Sequence, residues 1–353
     1  MKNQMALEKQ WFAIDDLRSW AVDTYIAAGM ASEDADTVVD NQLWSDLRGI
    51  DTHGLWRLPW YCGWFDEGKT DPTTQLAVVK ETPTSLAADG QHGLGQLVIT
   101  RLIERLIPKA LESGMCIGTI RNSNDWGCGA NYPYKAAEAG LCCIATTTSV
   151  PNIAPYGSRS RLFGNNPMVF AVPRRDDPPL IHDFALTPVA LGKVMRAREE
   201  GAELPVDWGF KDNEGDPTTD PRAALRGIIP AIGEYKGTNL AMMTNVFAGI
   251  LSGSSHSADV NVGRRGQFFI LMRPDLFTET ETFFDEVESM VDQIREAGKD
   301  TVKGAEVFLP GELEEATMAE RRKRGAVAYP ASVVAQLRET GAGLGVPFAA
   351  AEG

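Results

Sequence analysis

The stretch Asp46-Leu-Arg-Gly-Ile-Asp-Thr-His-Gly-Leu-Trp-Arg-Leu-Pro-Trp-Tyr61 concentrates the groups in this chain best suited to chemistry. His53 lies between Gly49 and Gly54, with Arg48 and Arg57 on either side. An imidazole exchanges a proton near neutral pH, and a guanidinium offers a rigid fork of donors that matches a carboxylate. One proton carrier between two carboxylate clamps is what a dehydrogenase of small 2-oxo or 2-hydroxy acids needs. The same residue types also suit a helix-turn-helix corner whose polar side chains merely cap backbone groups. Residue type alone leaves both readings open.

The spacing in this stretch resembles the signature LRGxxSHGxxRxxxY of the type 2 malate/L-lactate dehydrogenase family, with Thr52 in place of serine and the hydroxyl kept. The likeness continues through Asp89-Gly-Gln-His-Gly-Leu-Gly-Gln96, Gly164-Asn-Asn-Pro167, Asp183-Phe-Ala185, Pro217-Thr-Thr-Asp-Pro221, Lys236-Gly237, Gly266-Gln-Phe-Phe-Ile270 and Pro310-Gly311. The family includes ureidoglycolate and sulfolactate dehydrogenases, diketogulonate reductase and a reductase of piperideine-2-carboxylate. The resemblance implies an α/β fold with a mixed-sheet, non-Rossmann NAD(P)-binding domain, helical terminal segments packed together, and a homodimer. It also implies hydride transfer between nicotinamide and C2 of a small 2-oxo or 2-hydroxy acid. Arg48 and Arg57 would bind the carboxylate, His53 would exchange the proton, and Thr52 and Tyr61 would orient the substrate.

Arg121-Asn-Ser-Asn-Asp-Trp-Gly127 departs from the family pattern, since many relatives carry histidine where Asp125 stands. Three roles are open for Asp125. It could support His53 as carboxylates do for catalytic histidines, meet a cationic group of an imino-acid substrate, or cap the turn. The other histidines do not replace the missing one: His92 lies in a turn, His182 in a strand and His256 in a polar loop. The imino-acid reading and a non-catalytic family member are the alternatives to an oxo-acid dehydrogenase.

A nicotinamide cofactor does not follow from motif, because Gly93-Leu-Gly-Gln-Leu-Val lacks the third glycine of a dinucleotide fingerprint. The resemblance places NAD or NADP on Ser149, Asp183, Phe184, Ala185, Lys236, Gly311, Glu312 and Leu313. Asp183 ends an apolar strand, where a carboxylate can accept ribose or amide hydrogen bonds, and Lys236 opens a helix that favours phosphate. An N-cap for Asp183 and a solvated Lys236 are the structural alternatives.

The elements that must position these groups follow from periodicity. Leu17, Trp20, Ala21 and Thr24 mark a first helix, and Ser32 is the expected N-cap of a second that runs towards Leu47 and stops at Gly49. His53 then falls on a connecting loop before a third helix through Tyr61. Two short strands flank Thr82-Pro83, and a helix over 96–112 should be kinked or shortened by Pro108. Strands are expected over 115–120, 141–147, 168–172, 180–184 and 267–272, with helices over 133–139, 188–199, 238–251, 279–297, 312–324 and 332–340. The tail after Gly341 reads as frayed. Residues 1–75 with 278–353 are expected to form a helical domain carrying the His53 motif. Residues 76–277 would form the α/β cofactor-binding region, with 76–120 a candidate substructure of its own. Trp56, Trp60 and Trp64, four apart, could share one helix face, as core, interface or substrate wall.

The 353-residue chain carries 34 Lys plus Arg against 48 Asp plus Glu, a formal net charge of -14. This excess of acid disfavours nucleic acid and anionic membrane as partners, and the resemblance implies a small carboxylic acid as the ligand. The five cysteines contain no C-x-x-C pair, and the first residues lack the apolar core of a signal peptide. Reduced thiols in the cytoplasm and no metal site are expected.

Overall fold

Two segments that the sequence pattern passed over tie the ends of the chain together. Strand β1 (Lys9–Ala13) pairs antiparallel with β9 (Ala326–Pro330), with Trp11 opposite Ala328 and Phe12 opposite Val327. The computed structural model describes residues 9–302 and 305–348. Helix α1 (Ile14–Ala27) follows β1, then α2 (Ser32–Leu47) and α3 (Leu58–Asp66). Near the C-terminus stand α10 (Glu312–Arg324) and α11 (Ala331–Gly343). Leu17, Tyr25, Val38, Leu55, Leu58 and Tyr61 share one buried cluster with Val327, Tyr329, Val333 and Leu337. Neither terminal segment covers its apolar face alone, and each completes the other.

The central sheet has seven strands in the order β2 (Ala77–Thr82), β3 (Ser85–Asp89), β4 (Met115–Ser123), β8 (Arg265–Met272), β5 (Cys142–Thr147), β6 (Met168–Val172) and β7 (Leu180–Phe184). Only β3 and β4 run parallel and every other neighbouring pair is antiparallel. That is a mixed sheet, unlike the all-parallel core of a doubly wound dinucleotide fold. Helices α4 (Gly95–Ser113) and α5 (Asn131–Glu138) bury Val98, Leu102, Leu106, Tyr132 and Ala136 against Ile120, Cys143, Val169 and Phe269 of the sheet.

Several local expectations are corrected. Ser32 is the first helical residue of α2 and makes no capping bond. Ala31 occupies the cap position. Pro108 lies inside α4, which runs unbroken to Ser113. The buried apolar stripe on both sides of the proline outweighs one lost backbone bond. The helix expected over 238–251 divides into α8 (Tyr235–Thr244) and a wider π-turn over Asn245–Ile250. Beyond Gly341 the chain packs through Phe348, whose ring meets Trp20 at 4.7 Å and Phe12 at 5.3 Å. The last five residues, 349–353, lie outside the described ones. The tryptophans do not form one stripe. Trp56 precedes α3 in a short 3₁₀ turn and, like Trp64, packs inward, whereas Trp60 is exposed. Helix α9 (Thr280–Ala297) docks on the segment between β6 and β7 through ion pairs of Arg174 with Glu288 and Arg175 with Asp285.

Candidate active site

The His53 loop is held from below by a buried carboxylate. Asp46, on the last turn of α2, accepts hydrogen bonds from the Leu55 backbone N–H at 2.9 Å and from the Tyr329 hydroxyl of β9. Burial pushes this carboxyl up to about 8. Arg321 of α10 reaches the Asp46 carbonyl and pairs with Asp51 at 2.6 Å. The C-terminal layer therefore clamps the turn that carries the imidazole. Between α2 and α3 the chain makes two 3₁₀ turns, Asp51–His53 and Leu55–Arg57.

On this frame His53 is half-buried, and its Nδ1 lies 3.0 Å from the Thr52 hydroxyl. Burial, reinforced by the Arg57 charge, lowers its pKa to about 4, and Asp125 opposes the shift. The imidazole is thus neutral at physiological pH. Arg57 donates from Nε to the Thr52 carbonyl at 2.7 Å and packs its guanidinium 4.6 Å from the Trp60 ring centre.

Asp125 comes from the turn after β4. Helix α4 begins against this turn, because a Cβ on Gly95 would stand 2.3 Å from the Asp125 carbonyl oxygen. Gln267 of β8 donates to the Asn124 carbonyl, and the Tyr132 hydroxyl to that of Trp126. The Asp125 side chain does two things. Oδ1 accepts the Gly127 N–H at 3.0 Å, which is the turn-capping role. Oδ2 lies 3.7 Å from Nη1 of Arg57 and 3.7 Å from Nη1 of Arg265. Burial alone would raise its pKa, but the two guanidinium groups, Arg265 foremost, hold it below the ordinary carboxylate range. Its influence on His53 is electrostatic, and no direct hydrogen bond joins the two. Tyr61 is fully buried beside this group, and its hydroxyl has no hydrogen-bond partner among the described residues. Nor has Nε of Arg265. Burial raises the Tyr61 phenol, so it stays protonated as a donor.

The structure therefore brings His53, Thr52, Arg57, Tyr61 and Asp125 together and adds Arg265, which the sequence reading did not select. It sits one residue before the matched Gly266, but only its position on β8, across the sheet from Ser123, reveals the role. Arg48 is placed otherwise. Its side chain is 1% exposed, pairs with Glu315 of α10, and lies over the rings of Trp44 at 4.7 Å and Tyr134 at 5.1 Å. Two aromatic faces and a carboxylate already hold it.

The residues assigned to the cofactor form one continuous path along β7. The Pro310 carbonyl accepts the Ile181 N–H at 3.1 Å, which sets Gly311, Glu312 and Leu313 beside the strand. Asp183 accepts the Ala130 N–H at 2.9 Å, at the start of α5. Although the residue keeps an exposed face, its carboxyl is crowded by the surrounding chain, which raises it to about 6. Phe184 stacks on His182 at 4.5 Å, and beyond Ala185 the Leu186 N–H bonds the Asn165 carbonyl. The Ser149 hydroxyl donates to the Asn165 side chain at 2.7 Å, and Asn166 reaches Thr244 on α8. Lys236 lies exposed in the first turn of that helix. Glu312 has local work as well, since it accepts the Leu309 N–H and pairs with Arg295. Helix α6 (Leu191–Glu200), the next helix after β7, returns this path to the imidazole. A Cβ on its Gly192 would stand 3.5 Å from the Thr52 methyl. Asp183, Phe184 and Ala185 would hold a nicotinamide dinucleotide, with Lys236 and the N-terminus of α8 for its phosphates. The residues present fit such a group.

The mixed sheet and the histidine loop it carries are shared with dehydrogenases of small acids. The chain belongs to the malate/L-lactate dehydrogenase family, whose model matches residues 12–338. It is 33% identical to the malate dehydrogenase of Pyrococcus horikoshii over 94% of this chain and 95% of that one. It is 33% identical to the NAD(+) ureidoglycolate dehydrogenase of Escherichia coli O157:H7 over 72% and 75% of the two chains. The sulfolactate dehydrogenase structure from Methanocaldococcus jannaschii superimposes with a TM-score of 0.88 at 28% identity, over 96% of this chain and 98% of that one. Relatives include both NAD(+)- and NADP(+)-dependent dehydrogenases.

Proposed function

We propose that this protein is an NAD(P)-dependent oxidoreductase that interconverts a small 2-hydroxy acid and the corresponding 2-oxo acid. The observation that carries the reading is the neutral His53 beside Arg57 and Asp125, with Arg265 and the unpartnered Tyr61 hydroxyl gathered around that carboxylate. When bound, the nicotinamide supplies the acceptor or donor of the hydride at C2. Arg57 and Arg265 receive the substrate carboxylate, and Tyr61 donates to an oxygen of the bound acid. With the proton on Nδ1 and hydrogen-bonded to the Thr52 hydroxyl oxygen, Nε2 is the base that takes the hydroxyl proton during oxidation. In reduction the same nitrogen returns that proton to the carbonyl oxygen. Asp125, close to the imidazole, offsets part of the charge that forms on it. Two guanidinium groups already compensate Asp125 and would repel an iminium group, so the geometry favours an oxo acid over a cyclic imino acid.

We also propose that the protein works as a dimer in the cytoplasm. Met242, Met243, Val246, Phe247, Ile250 and Leu251 leave an apolar face exposed on α8 and the π-turn, of the kind subunit contacts cover. No helix among the described residues is long and apolar enough to cross a membrane. Light scattering should give about twice the 38.4 kDa chain mass. Oxidation of NADH or NADPH against a panel of 2-oxo acids tests the activity. Turnover of none of them, with no cofactor binding by titration, would refute it.

A further inference from the structure

The charges around His53 can be counted. Arg57 and Arg265 each bring one positive charge, and Asp125 stands between them at 3.7 Å from both. The other arginine of the motif, Arg48, is neutralised by Glu315. The cluster around Asp125, which includes the Arg57 beside the imidazole, therefore holds one net positive charge before any acid enters. One carboxylate brings the cluster to neutrality. A second acid group would leave an uncompensated negative charge in a nearly buried place, which is costly. Trp60, 44% exposed, lies against Arg57 and gives the tail of a substrate an aromatic wall instead of a cation.

We propose that Asp125 is a specificity-determining residue that restricts this site to 2-oxo and 2-hydroxy acids bearing a single negative charge. This inference rests on the oxidoreductase reading for its substrates but not for its charge count. It also separates this chain from relatives named for malate, an acid with two carboxylates.

The test compares acids that differ by one carboxylate, in the wild-type protein and in Asp125→Asn. That variant keeps the oxygen that accepts the Gly127 N–H, removes the charge and puts an amide NH2 in the place of Oδ2. The wild type should reduce pyruvate with a kcat/KM at least tenfold above that for oxaloacetate. Asp125→Asn should shift the ratio at least tenfold towards oxaloacetate, and Asp125→Glu should restore the wild-type preference. Binding is read separately by calorimetry with oxamate, a monoanion, and tartronate, a dianion. Wild-type binding that favours tartronate, or an Asp125→Asn effect equal on both ligands, would overturn the proposal, as would binding of neither. Selective binding of oxamate without turnover of either acid would uphold the charge rule and tell against the oxidoreductase reading instead.

Discussion

The carboxylate of Asp46 occupies the space where a side chain at Gly54 would begin: a Cβ built on Gly54 would stand 1.8 Å from Asp46 Oδ1. Asp46 also holds the Leu55 N–H, so the residues just after His53 are pinned by one buried group. Gly54→Ala must push apart Asp46 and the imidazole loop. Such overpacking costs about 1–3 kcal/mol. Thermal unfolding should show that loss, and turnover should fall at least tenfold because His53 is displaced. An alanine variant with wild-type melting and wild-type rate would show that the loop is not held this way.

The two arginines of the motif should separate experimentally. Arg57 faces the site, and lysine cannot reproduce its fork. Arg57→Lys should therefore raise the KM for the acid at least tenfold while melting stays near wild type. Arg48 is enclosed by Trp44, Tyr134 and Glu315. Arg48→Lys should lower the melting temperature through lost packing and pairing and leave KM for the acid within about twofold. A KM effect confined to Arg48 would reverse the two roles.

How far the site was legible in the sequence follows from the range of each contact. The 46–61 motif is local, and its loop, its helices and the closeness of Thr52, His53 and Arg57 could be read from neighbouring residues. The strands over 115–147 and 168–184 were legible because apolar β-branched runs stand between clear turn signals. What escaped depends on distant partners. β1 and β9 are five residues each and pair across most of the chain, so neither carries a pattern of its own. The partner of Arg48 is Glu315, and only the fold shows that this arginine is already engaged. Arg265 likewise becomes a site residue only when β8 lies beside β4. Pro108 misled because a local rule about backbone bonding competes with burial of the whole α4 stripe.

Lys236 tests the cofactor path. It is exposed in the first turn of α8, where an ammonium group and a helix N-terminus both favour phosphate. Lys236→Ala should weaken NAD(P) binding about tenfold in a fluorescence titration, with melting unchanged. The difference from wild type should shrink as salt is added, because an exposed charge is screened. Equal affinity in both proteins would move the phosphates elsewhere.

The pH dependence tests His53 and Thr52 together. Burial and Arg57 hold the imidazole pKa near 4, below its unperturbed 6.5. Oxidation of a hydroxy acid needs the neutral base, so its kcat/KM should climb as pH rises through about 4 and stay level through neutrality. Reduction needs the protonated form, so its kcat/KM should fall as pH rises above that value. His53→Ala should lose at least about a hundredfold in kcat while still binding cofactor. Asp125→Asn removes the negative charge that favours imidazolium and should move both limbs to lower pH. Thr52 acts through the tautomer: its oxygen lies 3.0 Å from Nδ1, so the hydroxyl and not the side-chain volume should matter. Thr52→Ser should run within about twofold of wild type, whereas Thr52→Val should lose at least tenfold in kcat with little change in KM. A valine enzyme with wild-type kcat, or pH limbs that persist unchanged in His53→Ala, would place the proton exchange on another residue.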